Sequence, residues 1–503
     1  MTWGEAGPRI RRGLLSFLLL ALPACAGLHS IELGRDGESL RDRELRDLLA
    51  RGRFGAALSR LEPDAGHAGD ELLRLLESGL VAHYARELEA SNDSFERALL
   101  LIEDRYTKSL TRAIVSLVTS DRLLAWTPNR TERSLVHYYA GLNYLALGQP
   151  DEAAVEARRL AHVLSLSEED APGGAERDLR RVLRYFTGAM FEAAGETEDA
   201  AVAFRLASVD AETSMTPRAV SPLAPSGEVV LFLESGFVAH RVEQSINVLL
   251  YPEEVAAFGH ERAQIRYAAA RCVARRAFGD VPPSVFAVLG ATATWHLGAG
   301  DRCLVEGVAP VRKHEQEHAS RNGDGEDEDD DHVAIPRFLR IAWPALRRTG
   351  TAAHVVAVRS DVGETASPVL DTDVTASVTQ EFDAGLGGVL VKALARAATK
   401  YAAVEGIEEG FGGSDEVLGR LAGLAANAAG ALLERADLRS WHLVPARLDV
   451  VRLRLPPGRH SLTAILSAGR ELRLPDVQVR AGETTVTAAR LWPGSVGSLT
   501  EAR

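Results

Sequence analysis

A proline-rich segment, TPRAVSPLAPSGE, divides the sequence into two parts with different hydrophobic periods. Before it, from about Ser39 to Ala207, apolar residues recur at the i, i+3/i+4 spacing of amphipathic helices. After it, short apolar runs and alternating patterns indicate strands as well as helices. We therefore predict a linker at residues 216–227 and a multidomain α+β fold.

The helical part, residues 25–215, is predicted to consist of helix pairs. A glycine or polar turn separates the two helices of a unit, as at Gly52, GQPDEA (148–153) and GETEDA (195–200). The last two segments occupy the same position between helices and resemble the core of tetratricopeptide repeats. Because one helix pair cannot bury its apolar face alone, we expect the units to stack into a tetratricopeptide-like α-solenoid.

The second part is predicted to contain a mixed α/β region at residues 228–436 and a small β-sandwich-like module at residues 437–503. The module's short strands are separated by Pro-Gly and Ala-Gly turns, a pattern that resembles surface PEGA-type modules. In the mixed region, the patterns predict strands at 228–236, 285–297 and 352–360 and helices at 376–404 and 416–436.

Residues 1–24 have the features of a secretory signal peptide. Three arginines precede GLLSFLLLAL, an apolar run far shorter than the roughly 20 residues that a membrane-spanning helix needs. The next residues, LPAC, resemble a bacterial lipobox, which implies acylation of Cys25 by palmitate-type chains. With Ala26 after the cysteine, we expect an outer-membrane anchor, with the protein on the periplasmic face. A plain signal peptide and an uncleaved anchor are the alternatives.

Charge and cysteine content limit the possible partners. The net charge of −13 argues against a nucleic-acid-binding protein, which usually carries a basic surface. Cys272 and Cys303 could form a disulfide in an oxidising, exported compartment, or they could be two separate buried residues. The sequence leaves both alternatives open.

The segment HEQEH (314–318) matches the zinc-peptidase pattern H-E-x-x-H. In such enzymes the two histidines lie on a packed helix, yet residues 312–318 contain no apolar side chain and an acidic run follows. We therefore predict a solvated acidic loop at residues 312–332, able at most to bind divalent cations adventitiously. Glycine-rich stretches lack the ending of a phosphate loop, and no nucleophile elbow is present. The sequence thus predicts no catalytic residue, metal site or cofactor.

A polar cluster joins the last predicted long helix to the β module: Asp437, Arg439, Ser440 and Trp441. Its side chains could be structural, with Asp437 capping backbone N–H groups or pairing with Arg439 while Trp441 fills an interdomain seam. They could also contact a ligand or a partner.

Three stretches resemble a family of bacterial tetratricopeptide-containing envelope lipoproteins without an assigned biochemical activity: SFERALLLIE, ERSLVHYYAGLNYLALGQPDEAAVEARRL and ERADLRSWHLVPARLDVVRLRLPPG. The most specific residues are Glu434, Ala436, Asp437, Arg439, Ser440 and Trp441, followed by Pro445 and Pro457-Gly458. Asn143-Tyr144-Leu145 and the VEARR segment at 155–159 also match. The family's genes often neighbour those of curli-secretion-channel-like and penicillin-binding-protein-activator-like lipoproteins. The resemblance therefore implies a role in envelope assembly, and it defines no catalytic residues.

Two functions follow as hypotheses. The first is a non-enzymatic scaffold whose concave solenoid surface binds an envelope protein, with Asn143, Glu156, Arg158 and Arg159 as candidate contacts. Salt bridges within or between repeats are the structural alternative for these residues. The second is an envelope enzyme acting on cell-wall or polysaccharide material, with a pocket in the mixed α/β region. A lipid-carrying module is a third possibility that would require an apolar cavity.

Overall fold

The computed structural model describes residues 37–62, 71–108, 125–166, 174–207, 225–250, 337–350, 352–412, 423, 434–467 and 469–492. The signal peptide, Cys25, Cys272, Cys303, the acidic loop and the strand predicted at 285–297 lie outside these residues. So do most of the predicted linker and most of the helix predicted at 416–436. Among the described residues, no helix has both the length and the apolar character needed to cross a membrane.

In the described part of the chain, helices form the first half and occur in consecutive pairs. Their bounds are α1 (Leu40–Ala50), α2 (Phe54–Leu61), α3 (Glu71–Ala85), α4 (Leu88–Lys108), α5 (Arg130–Ala146), α6 (Pro150–Leu166), α7 (Ala175–Ala193) and α8 (Thr197–Ala207). Each pair packs together, and the second helix of one pair contacts the first helix of the next, as for α4 with α5 and α6 with α7. The helix pairs that the sequence predicts are therefore present.

The same turn joins the two helices of every pair. One residue in each turn has a positive φ, between 67° and 78°: Gly52, Arg86, Gly148 and Gly195. At the third turn, the Gly148 N–H donates to the Leu145 carbonyl (3.1 Å) and the Gln149 N–H donates to the Tyr144 carbonyl (2.8 Å). Glycine serves three of the four turns because an L side chain is strained in this left-handed conformation.

Strands follow the helices, with one long helix among them, α9 (Val374–Gly412). The longer strands are β1 (Gly227–Ser235), β2 (Phe237–Leu250), β3 (Arg337–Thr349), β4 (Val355–Ser360), β7 (Arg447–Leu455), β9 (Leu462–Leu466) and β12 (Thr484–Leu491). The shorter ones are β5 (Thr365–Ala366), β6 (Leu370–Asp373), β8 (Gly458–His460), β10 (Glu471–Arg473) and β11 (Val477–Val479). The mixed α and β content that the sequence predicts is thus confirmed.

A central four-stranded sheet has the order β12-β1-β7-β6, in which β1 pairs parallel with β12 and antiparallel with β7. A second sheet has the order β10-β9-β4-β5. The separation predicted at residue 437 is not a structural boundary. Strand β1, which precedes it, lies between two strands that follow it. Period and turns identified β1 as a buried strand, but they carry no information about which distant strands pair with it.

Strand β1 is buried on both faces, because the central sheet lies between the helices and the second sheet. Val230 and Phe232 belong to the apolar cluster that includes the helix pairs. Val229, Leu231 and Leu233 belong to another cluster, which contains residues of β4 and β9 from the second sheet. The described chain therefore has three layers: helices, central sheet and second sheet.

A buried ion pair lies where the helices meet the central sheet. Arg490 on β12 is the register partner of Glu234 on β1, with Nη1 3.6 Å from Oε2, and the two side chains are only 2% and 1% exposed. The Tyr84 hydroxyl of α3 donates to Glu234 Oε2 (2.7 Å) and accepts from Arg490 Nη1 (3.1 Å). The guanidinium also lies 5.0–5.5 Å from the ring centres of Tyr84, Phe237 and Trp492.

Replacing Gly148 with alanine should lower the free energy of unfolding by about 1–2 kcal/mol, because the turn requires a positive φ. Apart from its chain neighbours, no described residue has an atom within 4 Å of the added Cβ, so the loss would come from the backbone alone. Gly385→Ala is the matched control: this glycine lies inside α9 with open space around it, and alanine should stabilise by about 1 kcal/mol. Denaturant titration would measure the change in the free energy of unfolding for both variants. Changes of the same sign would contradict the prediction.

Glu234→Gln should destabilise the fold by about 3–5 kcal/mol, because it leaves the Arg490 charge buried without its partner. Glu471→Gln is the matched control, since its ion pair with Arg359 is about half exposed and should change stability by less than about 1 kcal/mol. The comparison requires unfolding midpoints of the two variants and the parent protein. Equal losses of stability in the two variants would show that the buried Glu234–Arg490 pair stabilises the fold no more than the exposed pair does.

Candidate functional site

The motif that carries the family resemblance, from Glu434 to Trp441, lies in a stretch without helix or strand, residues 434–446. We call this stretch the connecting segment. It runs between the helices and strands and bonds to both. The Trp441 N–H donates to Glu132 Oε1 of α5 (2.7 Å), and the Ala446 N–H donates to the Ser235 carbonyl of β1 (2.9 Å). The Val444 carbonyl accepts from the Val238 N–H of β2 (3.0 Å). The segment is therefore held in one conformation by several elements.

Asp437 and Arg439 form a local pair at the start of the connecting segment. The Arg439 backbone N–H donates to Asp437 Oδ1 (3.1 Å), and its guanidinium donates to both carboxylate oxygens (2.8 and 2.9 Å). This is the structural arrangement that the sequence allows for the two residues. A bidentate pair of this kind fixes the direction in which the chain enters the space between the helices and the strands.

Trp441 fills the space between the connecting segment and the helices. Its side chain is fully buried, and its ring makes edge contacts with Phe95 and Tyr139 at centroid distances of 6.0 and 6.1 Å. No described residue accepts a hydrogen bond from its indole N–H. Trp441 therefore contributes packing, as the structural alternative expects.

A cavity of about 70 Å³ opens beside Ser440 and Trp441. Its polar lining includes Glu132 from α5, Glu381 from α9 and Arg241 from β2, with apolar side chains around them. A volume of this size has room for a few water molecules or a small polar group.

Both carboxylates in this cavity already serve the N-terminus of α5. Glu132 accepts from the Asn129 N–H (2.8 Å) in a capping box, and burial raises the pKa of its carboxyl. Glu381 accepts from the N–H groups of Arg130 (2.7 Å) and Thr131 (3.4 Å). The carboxylates thus satisfy helix N–H groups that would otherwise lack acceptors.

On another side of the connecting segment, His442 faces two carboxylates. Its Nδ1 lies 3.6 Å from Glu77 Oε1 of α3 and 4.0 Å from Asp42 Oδ2 of α1. Burial, with the positive charge of Arg46 nearby, lowers the pKa of His442 to about 3, so the imidazole is neutral at pH 7. Ring nitrogen and carboxylate oxygens together are donors of the kind that divalent metal ions accept.

Asn143 and Glu156 are placed where no partner can reach them, in contrast to the prediction from the sequence. Asn143 is fully buried; its Oδ1 accepts from His83 Nδ1 (2.6 Å), and its Nδ2 donates to Ser91 and Asn92 (both 2.8 Å). Glu156 is 3% exposed. The sequence analysis assigned these polar residues to the concave partner-binding surface, whereas both are buried and their polar groups are satisfied by hydrogen bonds within the protein.

Glu156, Arg158 and Arg159 form the salt bridges that were the structural alternative. Glu156 accepts from His137 Nδ1 (2.7 Å) and from Arg159 Nη1 (2.6 Å). Arg158 binds the Glu196 carboxylate in the next turn (2.6 and 2.8 Å). Arg158 and Arg159 are exposed and remain available at the surface, although both are engaged in ion pairs.

Sequence reasoning did not identify the cluster of Asp42, Glu77 and His442. One signal was present: Glu77 is the lone acidic residue in LLRLLESGL, at a position where the helical period expects burial. His442 directly follows the Trp441 of the motif. Nothing in the local pattern brings α1, α3 and the connecting segment together, because these elements are far apart in the chain.

The stability of the protein should depend on pH through His83. Burial lowers the pKa of His83 below 6.5, so the unfolded chain binds a proton that the folded chain does not. The stability is complete above the unfolded pKa and is lost as the pH falls. As the pH falls below 6.5, the parent should lose stability more steeply than His83→Gln, by at most about 1.4 kcal/mol per pH unit. Denaturation at several pH values would measure this; equal slopes would contradict it, and the exposed His162→Gln is the control.

Comparison of the chain with known proteins adds no relative. No protein-family model matches the sequence, no curated protein matches it, and no solved structure matches the fold.

Proposed function

We propose that the protein is a lipoprotein anchored in the outer membrane through Cys25, acting at the periplasmic face as a non-enzymatic scaffold in envelope assembly or secretion. We also propose that the helix pairs form a tetratricopeptide-like solenoid and that the C-terminal part is β-sandwich-like. Support comes from the recurring helix pairs with one shared turn geometry and from the two sheets that share an apolar cluster. Proteins built from such pairs commonly bind partners along their stacked helices.

The first helix of a pair does not offer its inner face to a partner, as α3, α5 and α7 show. Helices α5 and α7 pack on the central sheet, where Phe232 lies 5.9 Å from the Tyr138 ring and 5.0 Å from the Phe186 ring. Tyr84 of α3 bonds to the same strand through Glu234. The concave surface that the sequence analysis assigned to a partner would be formed by these helices, and the protein's own sheet covers them.

We place the binding surface on the second helix of the pairs, because these helices keep large apolar side chains exposed. These are Leu100 on α4, Val155 and Leu166 on α6, and Val202 and Leu206 on α8, with exposed fractions between 39% and 68%. A single exposed apolar residue is ordinary on a protein surface. Their recurrence on successive second helices is the pattern expected of a surface that packs against another protein.

The proposed partners are envelope proteins of the kind implied by the resemblance, such as curli-secretion-channel-like or penicillin-binding-protein-activator-like lipoproteins. The membrane would be contacted through the N-terminal lipid, and no nucleic acid is expected because the chain carries a net charge of −13.

Cross-linked pull-down of the tagged, acylated protein from its own membranes tests the proposal. We expect a defined set of envelope proteins, lost with Cys25→Ala and reduced at least tenfold, about 1.4 kcal/mol in affinity, by the paired change Val202→Glu and Leu206→Glu. These two residues are one helical turn apart on α8, so the change places two charges on one surface.

Val362→Glu is the matched control, because Val362 is similarly exposed (53%) but lies in the turn after β4. Retention of the same proteins by the α8 variant would refute the assignment of the binding surface. Recovery of no partner despite correct membrane fractionation would favour the alternative, an envelope enzyme. The observation in favour of that alternative is the cavity where Glu132, Glu381 and Arg241 converge.

A further inference from the structure

The cluster of Asp42, Glu77 and His442 brings together three elements that are distant in the sequence. Asp42 lies in the first turn of α1, Glu77 lies in the middle of α3, and His442 lies in the connecting segment. One ligand atom from each residue lies within 4.8 Å of the other two. Glu77 and His442 are fully buried, while the Asp42 side chain is 16% exposed, so the cluster has an approach from solvent on the Asp42 side.

The separations fit a shared metal ion better than direct hydrogen bonds. His442 Nδ1 is 3.6 Å from Glu77 Oε1 and 4.0 Å from Asp42 Oδ2, both beyond hydrogen-bond range. Two ligands that each bind zinc at about 2.1 Å in tetrahedral geometry lie about 3.4 Å apart. The His442–Glu77 separation is close to this value, and the three ligand atoms all lie within 4.8 Å of one another, so modest side-chain movements would bring them into the first coordination shell of one ion.

Arg41 binds one oxygen of each carboxylate, and the other oxygen of each faces the histidine. Its Nη2 donates to Glu77 Oε2 (2.5 Å), and its Nη1 donates to Asp42 Oδ1 (3.2 Å). Glu77 Oε1 and Asp42 Oδ2 are the oxygens directed towards Nδ1. A cation on the outer oxygens of two carboxylates orients them, much as second-shell groups orient metal ligands.

Glu77 Oε1 provides an independent sign of a missing partner. It is buried, and no described residue donates a hydrogen bond to it. A buried carboxylate oxygen without a donor is energetically costly, so native structures rarely keep one without a compensating group. This oxygen is aimed at the imidazole Nδ1, which lies 3.6 Å away, beyond hydrogen-bond range, and contacts the Ser440 carbonyl oxygen at 3.3 Å.

We propose that Asp42, Glu77 and His442 bind one divalent transition-metal ion of the zinc type, leaving a further coordination position for water on the exposed side. One imidazole with two carboxylates suits zinc, and the nitrogen ligand disfavours magnesium and calcium. The ion would tie α1 and α3 to the connecting segment, and so stabilise the seam between the helices and the sheets. This site shares no residue with the HEQEH segment or with the proposed partner surface.

Metal binding by the purified full-length chain tests the proposal, with Co²⁺ as a spectroscopic probe and Zn²⁺ as competitor. We expect one Co²⁺ with visible d–d absorption, displaced by Zn²⁺, and a rise in unfolding temperature with Zn²⁺ but not with Mg²⁺. Asp42→Asn, Glu77→Gln and His442→Asn should each weaken binding by at least about tenfold. Asp42→Asn is the safest of these variants for folding, because its side chain is partly exposed.

Two controls separate this site from other possible ligands. His354→Asn removes the histidine of another histidine–carboxylate pair, His354 with Asp449, and should leave binding unchanged. His314→Ala with His318→Ala removes the histidines of the acidic loop and should also leave it unchanged. The proposal is overturned if no Co²⁺ binds, if Asp42→Asn and Glu77→Gln bind like the parent when circular dichroism shows both folded, or if the loop variant abolishes the signal.

Discussion

The Glu234–Arg490 pair is the point at which the layers of the protein meet. Both residues lie in the central sheet as parallel register partners, and Tyr84 from α3 bonds to both of them. Arg490 also donates to the carbonyls of Gly236 and Leu443, which extends the contact to the β1–β2 turn and the connecting segment. Because buried charges are tolerated only when paired and hydrogen-bonded, these groups constrain where the helices, the strands and the segment can lie.

Packing of the first helices on the sheet has a direct consequence for function. The faces that carry Tyr84, Tyr138 and Phe186 are used to build the core, so an interaction surface on the helices must lie elsewhere. The second helices remain, with exposed apolar residues such as Leu166 and Leu206. A scaffold of this construction would present a convex row of helices to its partner, while its sheets keep the helix pairs in register.

The connecting segment contributes more than the joining of two parts of the chain. Trp441 packs among the aromatic residues of the helices, and its backbone N–H binds the Glu132 that caps α5. The next residue, His442, completes the cluster with Asp42 and Glu77. Trp441 and the residue after it therefore face different helix pairs, and the packing of Trp441 explains why a bulky side chain is found where a simple linker would need none.

The sequence by itself determined the local features: the helix pairs, the glycines of their turns and the buried character of β1. Each follows from the period or the geometry of a few neighbouring residues. Only the tertiary structure decided that β1 lies between β7 and β12, that the first helices are covered, and that Asn143 and Glu156 are buried. These outcomes depend on how surfaces far apart in the chain fit together, and hydrophobic period identifies a buried face without specifying what covers it.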